Sequence, residues 1–455
     1  MIFEDSIFNP YDNAEDKAAR AFEFYEDGEI AQALDEIELA LQINPANSSW
    51  HFDKALTLDS VNRFEDAIIE YEAALELNPD DLEILNSLAV DYTRTSQYDR
   101  AIELFEHIQQ LDPSFEPSYC NRIITYAEMS LHDQAEEMFY LAQQINPDCA
   151  LCYYNIGNSL FIRGQYKKAV HCWTQTAQLE PTHPQINYRI AQAYWADNDY
   201  ANAQEHFLAE LRISPGDIDV ILDFGLFLLE TEQIDSAREK FHRIIELNPE
   251  NPAAYFYLGE IAFNNEDYQQ AAKMFNQTLQ RDHKFTGPRY RLAQYAMANG
   301  LEDEAKVYLV AEAELEPNDS DVLVSMGSMF MSMGEFEYAA HSLLRAVDMD
   351  FANAKAYYYL GLAHAGKEQF EEAIEFYNHT LDIKGDYFEA LRDSGFAYLQ
   401  IGKIDAALKQ IAKAKAINAD DSQLKAIERA IKVAQFTGRT TAWLGRLRSP
   451  HTSKK

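Results

Sequence analysis

Apolar residues recur along the chain at helical spacing, and the pattern resets every 34 residues. Residues 150–183 show one period. Tyr153, Ile156, Gly157 and Leu160 fall on one helical face, because positions three and four apart are neighbours on a 3.6-residue turn. Arg163 and Gly164 then read as a basic last turn and a glycine stop. Tyr166, Ala169, Val170, Trp173 and Leu179 form a second stripe, which Pro181 closes. Each period therefore predicts two antiparallel helices. Asn251-Pro252 shows how a first helix starts, with a side-chain cap followed by a residue whose φ is already helical.

Two columns make the periodicity firm. Stepping by 34 from Ala33 to Ala407 meets alanine at all twelve positions. Four residues later every member is large and apolar, from Ile37 through Trp173 and Phe275 to Ile411. Prolines hold the same phase from Pro45 to Pro317 with His283 in their column, and Phe351, Gly385 and Ala419 continue it. Glycines recur in the first helix at Gly157, Gly225, Gly259, Gly327, Gly361 and Gly395. These small columns predict close approach of the paired backbones, and the large column is expected to fill the space between neighbouring units.

The order of an aromatic, Leu-Gly, Tyr, then Ala-x-x-x-Phe and Pro resembles the tetratricopeptide repeat. Tyr255 to Gly259 with Ala271 and Phe275 carries it, as does Tyr357 to Gly361 with Ala373 and Tyr377. The resemblance implies an all-α fold, a right-handed superhelical α-solenoid of stacked helix-turn-helix units. It places twelve repeats over residues 14–421, beginning at 14, 48, 82, 116, 150, 184, 218, 252, 286, 320, 354 and 388. Residues 1–13, with Phe3, Ile7, Phe8 and Tyr11, are expected to cap the first unit. Residues 422–436 read as a polar closing helix capped by Asp421 or Ser422, because the last unit of a stack needs a polar outer face. Residues 437–455 read as a basic tail, disordered on its own.

Charge divides along the chain. The net charge is -37, from 38 Lys+Arg and 75 Asp+Glu. Residues 401–455 hold 12 Lys+Arg and 4 Asp+Glu, net +8, which leaves a body of 26 and 71, net -45. Such a body repels phosphate, so nucleic acid is excluded as the main ligand, and basic or extended protein segments are the expected partners. The tail carries Trp443, Leu444 and Leu447 among Arg439, Arg446 and Arg448, a composition suited to peripheral contact with an anionic membrane surface or a partner. No run of about 18 apolar residues is present, so no membrane span is expected. The start lacks a basic stretch followed by an apolar one, so no secretory signal is expected. A reducing, cytoplasmic setting is the default expectation.

In the repeat family the first helix of each unit lines a concave groove. Its fifth position here runs from Ala18 and Phe52 to Tyr358 and Arg392 without a lysine. Relatives that clamp the carboxylate tails of heat-shock chaperones use Lys there, so that role is disfavoured. Two units share a signature: Tyr188-Arg189-Ile190-Ala191-Gln192 matches Tyr290-Arg291-Leu292-Ala293-Gln294. With Trp195, and with Tyr154, Asn155 and Asn158 of the preceding unit, these residues form the candidate peptide groove. Guanidinium forks suit carboxylates, and rigid aromatics supply contact area at low entropic cost. The competing reading has the tyrosines packing on neighbouring units and the arginines paired with local acids.

Other motifs point to structure. Cys149-x-x-Cys152 sits at a helix start, where a thiol pKa is lowered, but only Cys120 and Cys172 remain, in other helices. A metal reading needs a second pair and a redox reading a βαβ context, so no metal site is expected and Cys152 reads as a buried small side chain; four cysteines are also too few for a disulfide framework. Gly361 to Lys367 nearly matches a phosphate loop, yet Glu368 stands where Ser or Thr must hold Mg²⁺. Met326, Met329, Met331 and Met333 cluster in one helix with Met297 before it; most read as core, with Met297 and Met331 on a groove-facing position. No histidine or nucleophile spacing suggests catalysis. The expectation is a non-enzymatic scaffold without cofactor that binds protein or peptide segments in its groove, with oligomeric state open. The alternative is an accessory subunit of a glycosyltransferase or envelope-assembly complex docked through the basic tail.

Overall fold

The computed structural model describes residues 10–437, and among them twenty-five helices follow one another without a strand. They come in pairs: α1 (Pro10–Glu26) with α2 (Ile30–Ile43), α3 (Ser48–Asp59) with α4 (Phe64–Leu77), α5 (Leu82–Arg94) with α6 (Tyr98–Leu111), and α7 (Glu116–Glu128) with α8 (His132–Ile145). Then come α9 (Ala150–Ile162) with α10 (Tyr166–Leu179), α11 (Ile186–Ala196) with α12 (Tyr200–Ile213), α13 (Ile218–Glu230), α14 (Ile234–Leu247), and α15 (Pro252–Asn264) with α16 (Tyr268–Arg281). The series continues with α17 (Pro288–Ala298) and α18 (Glu302–Ala313), α19 (Ser320–Ser332) and α20 (Phe336–Met349), α21 (Ala354–Gly366) and α22 (Phe370–Ile383), α23 (Phe388–Gln400) and α24 (Ile404–Ile417), and ends at α25 (Ser422–Thr437). Of the expected N-terminal cap, residues 1–9 lie outside the described residues. So do residues 438–455 of the basic tail.

The chain divides into two compact units between Thr231 and Glu232. The division falls inside the seventh 34-residue period, with α13 in one unit and α14 in the other. Within each unit, consecutive helix pairs stack in chain order, an all-α array of helix-turn-helix repeats.

One backbone feature sets the pairing. The turn between first and second helix passes through a left-handed residue at the same phase in every period. Gly28, Asn62, Ser96, Ser130, Gly164, Asn198, Glu232, Glu266, Gly300, Gly334, Glu368 and Gly402 all have φ between 59° and 76°. Only five of the twelve are glycine. At the other seven an L side chain accepts a conformation costing about 1 kcal/mol or more, so the packing on either side enforces the turn.

That packing is the two columns. All twelve alanines are at most 1% exposed, and the large residues four positions on are also buried. A methyl group added at Gly157 would sit 2.5 Å from the Trp173 indole, and one at Gly259 would sit 2.6 Å from the Phe275 ring. The large column thus presses into the glycine of its own repeat. It also reaches the next repeat, where Phe207 stacks on Phe224 at 5.2 Å. The expectation of filling between units was half of the truth, because the glycine opens a slot inside the pair as well.

Caps and core follow. The Asn251 side chain accepts from the Ala254 amide at 3.1 Å. Asp421 caps α25, accepting from Leu424 at 2.7 Å. Met326 and Met331 are buried. Met331, expected to face the groove, instead packs in a core cluster that runs through several successive repeats of its unit. The phosphate-loop look-alike is helical: Gly361 lies against Tyr377, and Lys367 pairs with Glu337 at 2.7 Å.

Candidate functional site

The first helices of successive repeats lie side by side, and their polar residues bond across the seam by a common rule. The fifth position of one repeat meets the sixth of the next, a separation of 35 residues. Tyr188 donates to Asp223 at 2.6 Å, and Tyr358 donates to Asp393 at 2.9 Å. Asn121 donates to Asn86 at 3.1 Å, and Asn155 donates to the Cys120 carbonyl at 3.1 Å. Two helical turns further on, Trp195 donates to Glu230 at 2.8 Å, and Arg94 pairs with Asp59. The face built by the first helices is therefore a ladder of repeat-to-repeat bonds. A single-repeat reading of the sequence hides this, because the partners stand in different columns.

The ten candidate groove residues fall into two groups, one in each compact unit. In the first unit, Asn155 and Tyr188 are buried and committed to the ladder. Gln192 donates to Asp223 at 2.9 Å. The Tyr154 ring turns toward His183, centroid to centroid 4.5 Å. Trp195 packs edge-on against Phe207 and Phe227. Arg189 differs from its neighbours. Its Nη1 reaches Gln192 at only 3.4 Å, its Nε is buried without a partner, and no carboxylate pairs with it among the described residues.

In the second unit, Tyr290 is buried and accepts from Gln294 at 2.7 Å. Arg291 makes a two-pronged ion pair with Glu260, at 2.7 and 2.6 Å, and donates to Gln294 at 2.9 Å. The local-acid reading thus describes Arg291. The contrast with Arg189 has a cause in the sequence. Glu260 lies 31 residues before Arg291, and the residue 31 before Arg189 is Asn158. The same signature pairs with a carboxylate in one unit, and in the other the position at that phase holds a neutral amide.

The two signature repeats share a second feature that the sequence reading missed. Their first helices, α11 and α17, hold eleven residues, fewer than the first helices around them, because Gln185 and Gly287 enter with positive φ. The exposed amide ends are satisfied by Glu210 and Glu312, at one repeat phase in the second helix. Glu210 accepts from Tyr188 at 3.3 Å. Glu312 accepts from Gly287, and the amides of Tyr290 and Arg289 add a favourable field at the same carboxylate. Burial raises both carboxyl pKa values, and these amide bonds oppose the rise without cancelling it.

The cysteines correct an expectation. Cys120 and Cys152 form a disulfide with Cα atoms 5.0 Å apart. The sequence reading placed Cys120 in a separate helix. It is separate, but α7 and α9 are adjacent first helices, and the seam brings positions five and three together. Cys149 Sγ lies 3.4 Å from Cys120 Sγ, and Glu116 Oε1 lies 2.8 Å from Cys120 Sγ and 3.2 Å from Cys152 Sγ. Burial, then the Glu116 carboxylate, push the Cys149 thiol up to about 11. A thiol so placed is protonated at neutral pH and is a poor nucleophile. Cys172 is buried elsewhere.

No helix among the described residues is long and apolar enough to cross a membrane.

Profiles described as tetratricopeptide repeat match residues 52–114, 150–183, 222–284, 325–387 and 364–431. One described as YpiA-like, C-terminal tetratricopeptide repeats matches 184–251. Together these stretches span more than half of the chain. Among known proteins, the chain is 22% identical over 195 residues to anaphase-promoting complex subunit 3 of Schizosaccharomyces pombe, covering 43% of this chain and 29% of that one. It is 26% identical over 233 residues to BBSome complex member BBS4 of Bos taurus, covering 50% and 44%. The chain thus matches less than half the length of these two relatives. Yeast Tom70 is a similar solved structure, with TM-score 0.45 and 16% identity over 92% of this chain and 100% of that one.

Proposed function

We propose a non-enzymatic scaffold function for this chain, which belongs to the tetratricopeptide repeat family: it binds an extended polypeptide segment along the face of its first helices. The observation that carries the reading is Arg189. A guanidinium without an acidic partner among the described residues, on the same set of first helices as Asn158, Tyr154 and Trp195, offers directed donors to a carboxylate or a main-chain carbonyl, with rigid ring surface on the neighbouring positions. The acidic residues around it favour basic side chains elsewhere on the same segment, so association weakens with salt. Two relatives are named as members of multi-protein complexes, and a place in such an assembly fits a chain with no catalytic constellation among its described residues.

The test is differential co-purification from the native cell. Full-length protein and a variant with Tyr154→Ala, Arg189→Ala and Trp195→Ala are compared by quantitative mass spectrometry. A partner recovered with the first and lost with the second supports the site. Equal recovery of every partner removes it.

A further inference from the structure

We propose that the reduced protein holds one zinc-class divalent ion through Glu116, Cys120, Cys149 and Cys152, and that the Cys120–Cys152 disulfide is the metal-free form of the same site. This reading does not depend on the peptide face.

The geometry comes first. The three Sγ atoms and a Glu116 carboxylate oxygen all lie within 4.8 Å of one another. A tetrahedral ion with sulfur at about 2.3 Å and oxygen at about 2.1 Å needs donor-to-donor edges of about 3.4–3.8 Å. The Cys120–Cys149 edge is 3.4 Å, and the Glu116–Cys152 edge is 3.2 Å. Once the disulfide is reduced, small side-chain rotations bring the remaining edges to this size, and the helices need not move.

The disulfide alone leaves two of the four groups unexplained. It occupies Cys120 and Cys152, yet Cys149 and Glu116 are drawn against the same sulfurs. The Cys152 amide donates to Cys149 Sγ at 3.3 Å, a bond that a metal-bound thiolate accepts better than a thiol does. Glu116 is the first residue of α7, and Cys149 is the N-cap of α9. Two helix N-termini therefore converge on the cluster, where they stabilise the negative charge that three thiolates and a carboxylate keep around a dication. Three sulfurs select a soft or borderline ion over Mg²⁺ or Ca²⁺. Four protein ligands leave no open position, so the ion is structural and ties the fourth repeat to the fifth.

The two forms interconvert by a balanced step. A phosphine attacks the disulfide and becomes its oxide with oxygen from water, and the two sulfurs leave as thiols. The incoming ion then displaces the three thiol protons.

The experiment uses the full chain, reduced anaerobically with a water-soluble phosphine that is then removed, and titrated with Co²⁺. The proposal predicts one equivalent bound, with thiolate-to-cobalt charge-transfer absorption and tetrahedral ligand-field bands, displaced by Zn²⁺ and absent before reduction. Cys149→Ser should lower Zn²⁺ affinity by at least about 100-fold, more than loss of an outer-shell contact costs, whereas Cys172→Ser should leave it unchanged. Should Cys149→Ser fold poorly by circular dichroism, the stoichiometry and charge-transfer band of the unsubstituted chain still decide. Cobalt bound without that band, or no binding after reduction, overturns the site.

Discussion

The Tyr188 phenol donates to the Asp223 carboxylate at 2.6 Å, one repeat and one residue further along the chain. This bond belongs to the ladder that joins successive first helices, so it contributes to stability across the seam. Tyr188→Phe should cost about 1.5–2 kcal/mol, the low end for a hydrogen bond to a charged group, because Asp223 keeps its bond from Gln192. Urea unfolding followed by circular dichroism measures it. A loss close to zero would mean that the ring packing, not the hydroxyl, holds the seam.

Gly157→Ala tests the slot inside the pair. The new methyl would lie 2.5 Å from the Trp173 indole, whose Nε1 donates to the Tyr154 carbonyl at 3.2 Å. Overpacking of this kind costs about 1–3 kcal/mol. Trp173→Phe in the same chain should recover part of that loss, which a double-mutant cycle reads directly.

Glu266→Gly tests the turn. Glu266 holds φ 61°, a conformation that costs an L residue about 1–2 kcal/mol and glycine nothing. Glycine's larger unfolded-state entropy returns about 0.5–1 kcal/mol. The expected net is a stabilisation of about 0.5–1 kcal/mol, read as a higher urea midpoint. A lower midpoint would show that the left-handed turn carries no strain.

Glu312 makes a pH prediction. Burial raises its folded-state pKa above the unfolded value, so between the two the folded state binds more protons. Its contribution is full below the unfolded pKa and is lost as pH rises through the folded one. Glu312→Gln removes that titration while keeping an acceptor for the Gly287 amide. The fall in melting temperature from pH 5 to pH 8 should therefore be smaller in the variant. An equal or larger fall would contradict the assignment.

The fold was legible because its two defining columns are strictly periodic. The alanine column and the large residues beside it record a packing geometry repeated twelve times, and no insertion blurs it. The turn was only partly legible, since Asn62, Ser96 and Glu232 adopt at that phase the same φ as the glycines. The candidate face was less legible still. Its bonds join column five to column six of the next unit, and no single column announces them. Cys120 and Cys149 meet across the same seam, so a search for spacing within one helix kept them apart. The difference between Arg189 and Arg291 lay in the sequence at Asn158 and Glu260, but it had meaning only once the 31-residue contact was known.

Asn158→Glu asks whether binding needs the Arg189 guanidinium unpaired. It copies the Glu260 environment and gives Arg189 the carboxylate that Arg291 already has. The variant should fold, be at least as stable as the original in urea, and recover its first-unit partner from the native cell about tenfold or more less well. Such a loss corresponds to about 1.4 kcal/mol, within the range of one charge-assisted contact. Undiminished recovery by a variant that folds normally would contradict the claim that Arg189 and its neighbours form the binding face.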